Sequence, residues 1–145
     1  KPMNIPSHIA YPYILANALA LLFGTPLTFE QNILLILFCL LPDFDYVISW
    51  IHKKFTGMRF HAGVNHHEWA SHWPISYIPL ALLFIIMPNT YTLLMLFGIV
   101  SHLALDSFAC AWGVMWLYPF STRWFNYQAA RFKEITDGVE WLKEW

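Results

Sequence analysis

The run from Ser101 to Ser107 places an imidazole and a carboxylate four residues apart in apolar surroundings. On a helix, this spacing brings His102 and Asp106 to one face. Such a face can offer a ring nitrogen and a carboxylate oxygen to one metal ion, as in helical di-metal proteins. It can equally hold a buried His–Asp hydrogen bond without a metal. The spacing alone leaves both interpretations open.

A second pair of polar residues, Asp43 and Asp45, interrupts an apolar run directly after Pro42. Proline removes a backbone donor and kinks or ends a helix. Two carboxylates this close repel each other unless a cation lies between them or one is protonated. A polar helix end at a membrane interface is the alternative. An apolar run that ends in Leu-Pro-Asp-Phe-Asp favours the metal site.

Histidines supply further candidate ligands. His67 and His72 are about 140° apart on a helix, so a regular helix cannot point both side chains the same way. They can converge if His67 lies in a loop and His72 begins the next helix, for which Pro74 suits the first turn. The remaining histidines are His8, His61, His66 and His52, the last of which lies beside two lysines and is expected to be a bystander.

The composition argues against an ordinary soluble domain, because so few charges could not cover its surface. The 145 residues are 58% hydrophobic and 12% charged, with a net charge of -1 and eight tryptophans. A soluble domain has about twice that share of charged residues. The composition excludes a disordered tail, a basic nucleic-acid-binding protein and a disulfide scaffold. No nucleic-acid partner is therefore expected, whereas tryptophan is typical of the membrane–water interface.

The chain is predicted to be all-α, a single domain over residues 1–145. We expect an integral membrane bundle of about four short helices plus a C-terminal amphipathic helix over residues 129–145. Each apolar stretch is shorter than the roughly 20 residues that span a bilayer, so buried helices of a soluble protein are the alternative. The apolar stretches are 9–23, 33–50, 73–87 and 91–109, and the second is interrupted at residues 42–45.

The distribution of positive charge predicts the topology. With four crossings, every Lys and Arg falls on one side of the membrane, as the positive-inside rule requires. Both termini are then cytoplasmic, and the two tight turns are on the outside. This topology gathers the histidines and aspartates at the cytoplasmic end of the bundle. Mixed imidazole and carboxylate ligands suit zinc, manganese or iron, and more than four of them suggest two or more ions.

Four motifs follow one another along the chain, at residues 41–45, 67–72, 98–106 and 112–120. Their order and spacing resemble the predicted membrane-bound metal-dependent hydrolases of the YdjM-like family. The resemblance covers residues 8–121 and includes an N-terminal histidine such as His8. The family is in turn distantly similar to zinc-dependent phospholipase C and the fungal single-strand nucleases, which are helical zinc phosphodiesterases.

The resemblance implies a membrane-embedded hydrolase with two or three zinc ions, acting on a phosphoester of a lipid or lipid-linked substrate at the cytoplasmic face of the bacterial inner membrane. Asp45 would ligate, orient a neighbouring histidine or act as general base. Glu68 stands where the family often has Arg, and is an extra ligand, a general base or an exposed residue. Arg59 and Arg123 would hold the phosphate or bind lipid headgroups. The implied metal ligands are His8, Asp43, Asp45, His61, His67, His72, His102 and Asp106.

Two other functions fit a metal site of this kind. A transporter should carry polar residues along a continuous path through the membrane, but the outer halves of the apolar stretches are nearly devoid of them. A structural or regulatory membrane protein could keep the metal for folding alone. The sequence does not separate this last function from hydrolysis.

Overall fold

The computed structural model describes residues 5–56, 66–109 and 113–127. The regular secondary structure of these residues is helical, which confirms the all-α prediction for this part of the chain, and residues 113–127 form turns and loops with one antiparallel bridge between Val114 and Phe125. Three short 3-10 turns lie within residues 66–77. Residues 129–145, predicted to form an amphipathic helix, lie outside the described residues. The α-helices are α1 (Ile5–Leu22), α2 (Phe29–Leu40), α3 (Phe44–Thr56), α4 (Ile78–Ile86) and α5 (Thr90–Ala109).

The second predicted apolar stretch forms two helices rather than one. The break follows from Pro42, which is fully buried between α2 and α3. The turn is closed by bonds of the 3-10 type, in which Asp43 N donates to Leu40 O and Phe44 N donates to Leu41 O, both at 3.1 Å. Because proline has no N–H, the α-helical ladder is interrupted here. Asp43 therefore lies in the turn, and Asp45 lies in the first turn of α3.

The third apolar stretch begins as a 3-10 turn, Pro74–Tyr77, and becomes α-helical only at Ile78. Trp73 caps this turn, and Pro74 occupies its first position, where the missing N–H costs nothing. The position of Pro74 at the start of an element was predicted from the sequence. The preceding 3-10 turns, His66–Glu68 and Ala70–His72, place His67 and His72.

Helices α2 and α5 pack in close backbone contact at Gly98. A Cβ atom added to this glycine would lie 2.9 Å from both Cys39 N and Leu35 O. No side chain fits in this space, so the glycine sets the separation of the two helices. A polar contact joins α1 to α2, because Asn17 Nδ2 donates to Asn32 Oδ1 at 2.8 Å. Hydrogen bonds of this kind stabilise helix pairs in membranes.

The described residues bury polar and apolar side chains together, and their outer faces are largely apolar. The apolar core is small and consists of two clusters, one around Leu35 and one around Leu103. Large apolar side chains are exposed on the outer faces, such as Leu22 at 76% and Ile86 at 76%. Among the described residues, one helix, Thr90–Phe108, is long and apolar enough to cross a membrane, with a mean hydropathy of 1.5. Phe29–Leu40 and Pro74–Ile86 are shorter apolar helices.

We expect Gly98→Ala to lower stability by about 1–3 kcal/mol, because the added methyl group meets backbone atoms that cannot move aside cheaply. This cost exceeds the roughly 1 kcal/mol by which alanine favours a helix over glycine. The thermal unfolding midpoint of the detergent-solubilised protein measures the effect. Val100→Ala, on the exposed side of the same helix, is the control and should change little. A Gly98→Ala protein that unfolds at or above the wild-type midpoint would contradict the proposed close contact.

Candidate metal centre

Six of the predicted ligands meet in one buried cluster, which we call the His–Asp centre. They come from four separate parts of the described chain: α1, the turn after α2, the 3-10 turns and α5. Five of them are at most 4% exposed, and only Asp43 is half-buried. The centre contains two groups of three residues, and within each group the ligand atoms lie within 4.8 Å of one another. The groups are His8, Asp43 and His102, and His67, His72 and Asp106.

The two carboxylates of the centre lie between the imidazoles of both groups. Asp106 Oδ1 is 3.3 Å from His8 Nε2, and Asp106 Oδ2 is 3.1 Å from His102 Nε2. The second Asp106 oxygen is also 3.8 Å from His72 Nε2. Asp43 Oδ1 lies 3.6 Å from the Nε2 atoms of both His72 and His102. Each carboxylate thus faces ligand atoms of both groups, an arrangement suited to two neighbouring cations.

These separations match the edges of a metal coordination shell. Ligands at 2.0–2.1 Å from a tetrahedral zinc lie about 3.4 Å from one another. The five nitrogen–oxygen distances bracket that value. His102 Nε2 and Asp106 Oδ2 are buried and lie 3.1 Å apart. Buried polar atoms are rarely left unsatisfied. The close approach of several buried nitrogens and carboxylate oxygens fits ligands directed at a common cation, so the residues present suit a divalent metal.

Backbone carbonyls fix the tautomers of two histidines. His67 Nδ1 is 2.7 Å from Gly113 O, and His102 Nδ1 is 2.7 Å from Cys39 O. A carbonyl oxygen only accepts, so Nδ1 carries the proton and donates it. When such a ring is neutral, its lone pair is on Nε2, which in His102 faces the carboxylates. Metal-binding histidines are commonly held by a bond of this kind from the other ring nitrogen.

The third ring, His72, is held by side chains instead. Ser71 Oγ is 3.2 Å from His72 Nδ1, and it donates to Asp45 Oδ2 at 3.4 Å. Asp45 Oδ2 is itself 3.9 Å from His72 Nδ1. Tyr77 donates from its hydroxyl to Ser71 O and braces the same turn. Asp45 therefore lies behind His72, on the side opposite the nitrogen that faces Asp43 and Asp106.

Ring stacking aligns the imidazoles within each group. The His8 and His102 rings stack with centroids 4.3 Å apart, and the His67 and His72 rings stack at 4.6 Å. Burial lowers the pKa of His67 to about 4, against the opposing effects of Asp106 and the Gly113 carbonyl. His67 is therefore neutral at pH 7, which is the form that binds metals.

The remaining predicted site residues lie elsewhere. Glu68 is exposed next to His67, and Arg123 is exposed in the segment after α5. His52 Nδ1 is 3.3 Å from Thr56 Oγ1 on α3, in keeping with its predicted role as a bystander. Arg59 and His61 fall outside the described residues. The phosphate-binding role of the two arginines and the catalytic role of Glu68 stay predictions.

Some residues that shape the centre carried no usable signal in the sequence. The carbonyls of Cys39 and Gly113 orient two histidines, but every residue has a carbonyl. Gly113 has a positive φ of 77°, and a Cβ there would lie 2.3 Å from Phe125 O. A glycine next to Val114 was the only hint of this tight approach. Ser71 was visible only as a neighbour of His72.

The fold and this buried cluster define a helical protein with an apolar exterior and a candidate metal centre of imidazoles and carboxylates. Residues 3–139 match the family described as YdjM inner membrane protein. The chain therefore belongs to the YdjM inner membrane protein family. No curated protein and no solved structure matches it.

We expect Asp43→Asn and Asp45→Asn to affect metal binding differently. Asp43 faces the Nε2 lone pairs, so its loss should remove one of two bound ions. Asp45 faces Nδ1 of His72, so its loss should keep the stoichiometry and weaken affinity about 10–100-fold. Calorimetric titration of Zn²⁺ into chelator-stripped protein distinguishes the two. Glu30→Gln, in the first turn of α2, is the matched control for the acid-to-amide change and should bind as wild type. Equal effects of the two Asp variants would contradict these separate roles.

Proposed function

We propose that this protein is a membrane-embedded, metal-dependent hydrolase that cleaves a phosphoester of a lipid or lipid-linked substrate. The observation that carries the proposal is the buried cluster of imidazoles whose Nε2 atoms face two shared carboxylates. Neutral nitrogen and carboxylate ligands of this kind favour zinc, manganese or iron. Two adjacent groups of three ligands fit two such ions. When bound, the metals supply Lewis acidity that activates water and stabilises the negative charge developing on a phosphoester.

The residues of the chain prepare the site for this chemistry. The Cys39 and Gly113 carbonyls keep the rings of His102 and His67 in the tautomer that leaves Nε2 unprotonated. Ser71 and Asp45 contact His72 at Nδ1 rather than at Nε2, so Asp45 is a positioning residue in this proposal rather than a ligand. A preorganised site loses little energy to rearrangement when the reaction begins.

Access to the centre comes from the Asp43 side. The Asp43 side chain is 15% exposed, whereas those of His72 and His102 are fully buried. Water and the polar end of a substrate would enter there, beside the turn between α2 and α3. A lipid substrate could keep its acyl chains against the apolar exterior while its phosphate reaches this opening. The positions of Lys and Arg along the sequence support a cytoplasmic orientation for this end of the bundle.

A second function is favoured by the burial of the four imidazoles. A metal held in a closed site can act by stabilising the fold alone, because binding energy at a site formed only on folding is folding energy. The protein would then be a structural or regulatory membrane protein. Both functions require the same ligands, so only turnover distinguishes them.

We expect the metal-loaded full chain, in detergent–phospholipid micelles, to hydrolyse a member of a panel of phospholipids and chromogenic phosphodiesters. His102→Ala and Asp106→Ala should reduce turnover to the level of the metal-stripped protein. Glu30→Gln should retain it, which controls for preparation and detergent. Metal bound at full stoichiometry without turnover of any panel member would contradict hydrolysis and favour the structural function.

A further inference from the structure

Helix α3 presents an apolar stripe away from the protein. Phe44, Ile48, Ile51 and Phe55 follow the spacing i, i+4, i+7 and i+11, which places them on one face of a helix. They are 54%, 45%, 44% and 81% exposed, respectively. We call these four residues the α3 stripe. A soluble helix buries such a face, so the stripe must contact something other than the described part of the chain.

A different side of α3 faces the His–Asp centre. Asp45 is 4% exposed and accepts from Ser71, although it is only one residue from the exposed Phe44. On a helical projection, Asp45 lies about 100° from Phe44. The helix thus turns its carboxylate inward and its apolar side chains outward. Large apolar side chains also face outward on the other helices of the described residues.

The length and charge of α3 suit the surface of a bilayer rather than its interior. Thirteen residues extend about 20 Å, less than the thickness of the hydrocarbon core. Its second half carries Lys53 and Lys54, which are costly inside a membrane. Lys54 Nζ lies 5.6 Å from the centre of the Trp50 ring, and Trp50 is 63% exposed. Tryptophan and lysine beside an apolar face are typical of helices that lie in the membrane interface.

We propose that α3 lies in the plane of the phospholipid interface, with the α3 stripe inserted at the boundary of the acyl chains. Lys54 extends from the edge of this stripe toward the lipid phosphates. Because α3 begins at Phe44, between Asp43 and Asp45, its insertion holds the His–Asp centre just beneath the headgroups. The helix therefore sets the depth of the His–Asp centre relative to the phospholipid headgroups. This placement requires a phospholipid surface but does not depend on hydrolysis, so it stands or falls separately from the proposed function.

Site-directed spin labelling of the full chain in phospholipid vesicles tests this placement. Nitroxides are attached to single cysteines at positions 48, 51, 54 and 55, in a background in which Cys39 and Cys110 are replaced by Ser. Position 100, half-exposed near the middle of Thr90–Phe108, provides the reference for a site deep in the membrane. Accessibility to oxygen reports lipid contact, and accessibility to a water-soluble nickel chelate reports water contact. Position 47, whose Val is 43% exposed, replaces any stripe position whose variant does not fold.

At positions 48, 51 and 55 we expect high oxygen and low nickel accessibility, at about 5–10 Å below the phosphates and shallower than position 100. Position 54 should show the reverse preference. Nickel accessibility at the stripe equal to that at position 54 would overturn the proposal, because α3 would then project into water. Low accessibility to both reagents would overturn it in favour of a protein cover, such as residues 128–145 or a second copy. A stripe as deep as position 100 would show instead that α3 crosses the membrane.

Discussion

A carbonyl oxygen accepts hydrogen bonds and never donates them, and this asymmetry fixes the chemistry at the centre of the molecule. The Cys39 and Gly113 carbonyls hold the protons of two imidazoles on Nδ1. Nε2 of His102 is thereby turned toward two carboxylates in a site from which water is largely excluded. In the neutral ring this atom carries a lone pair, which the carboxylates repel, and in a buried site this repulsion is not screened. A cation between them removes the conflict.

A hydrogen-bonded arrangement without metal accounts for the contact between His102 and Asp106, but less readily for the two contacts of Asp43. If His102 were protonated on both nitrogens, its Nε2–H would donate to the nearest carboxylate oxygen, Asp106 Oδ2, at 3.1 Å. Asp43 Oδ1 is nearly equidistant from two imidazoles, which suits a shared ion better than one directed hydrogen bond. The same geometry explains why the backbone contact at Gly98 matters, since it brings the Cys39 carbonyl within reach of α5.

The sequence allowed much of this centre to be predicted, because its ligands are costly residues in apolar surroundings. The i, i+4 spacing of His102 and Asp106 and the break at Pro42 each follow from local geometry. The different roles of Asp43 and Asp45 could not be predicted from the sequence, because they depend on which side of His72 each carboxylate reaches. The carbonyl partners were not predictable, because hydrogen-bond acceptors on the backbone are common to all residues. The early end of α2 was indicated by Pro42, but the outward orientation of the α3 stripe depends on the direction that α3 takes after the turn.

X-ray absorption at the metal edge, on the chain purified from metal-supplemented culture, measures whether the His–Asp centre binds metal ions. We expect two divalent ions per chain, each surrounded by nitrogen and oxygen ligands at about 2.0–2.1 Å with the multiple scattering of imidazole rings. Loss of the imidazole scattering in His102→Ala would assign it to this cluster. A protein that retains no metal above trace amounts would contradict a metal site at the His–Asp centre. So would a coordination shell dominated by sulfur at about 2.3 Å, which would place the ion on cysteine instead.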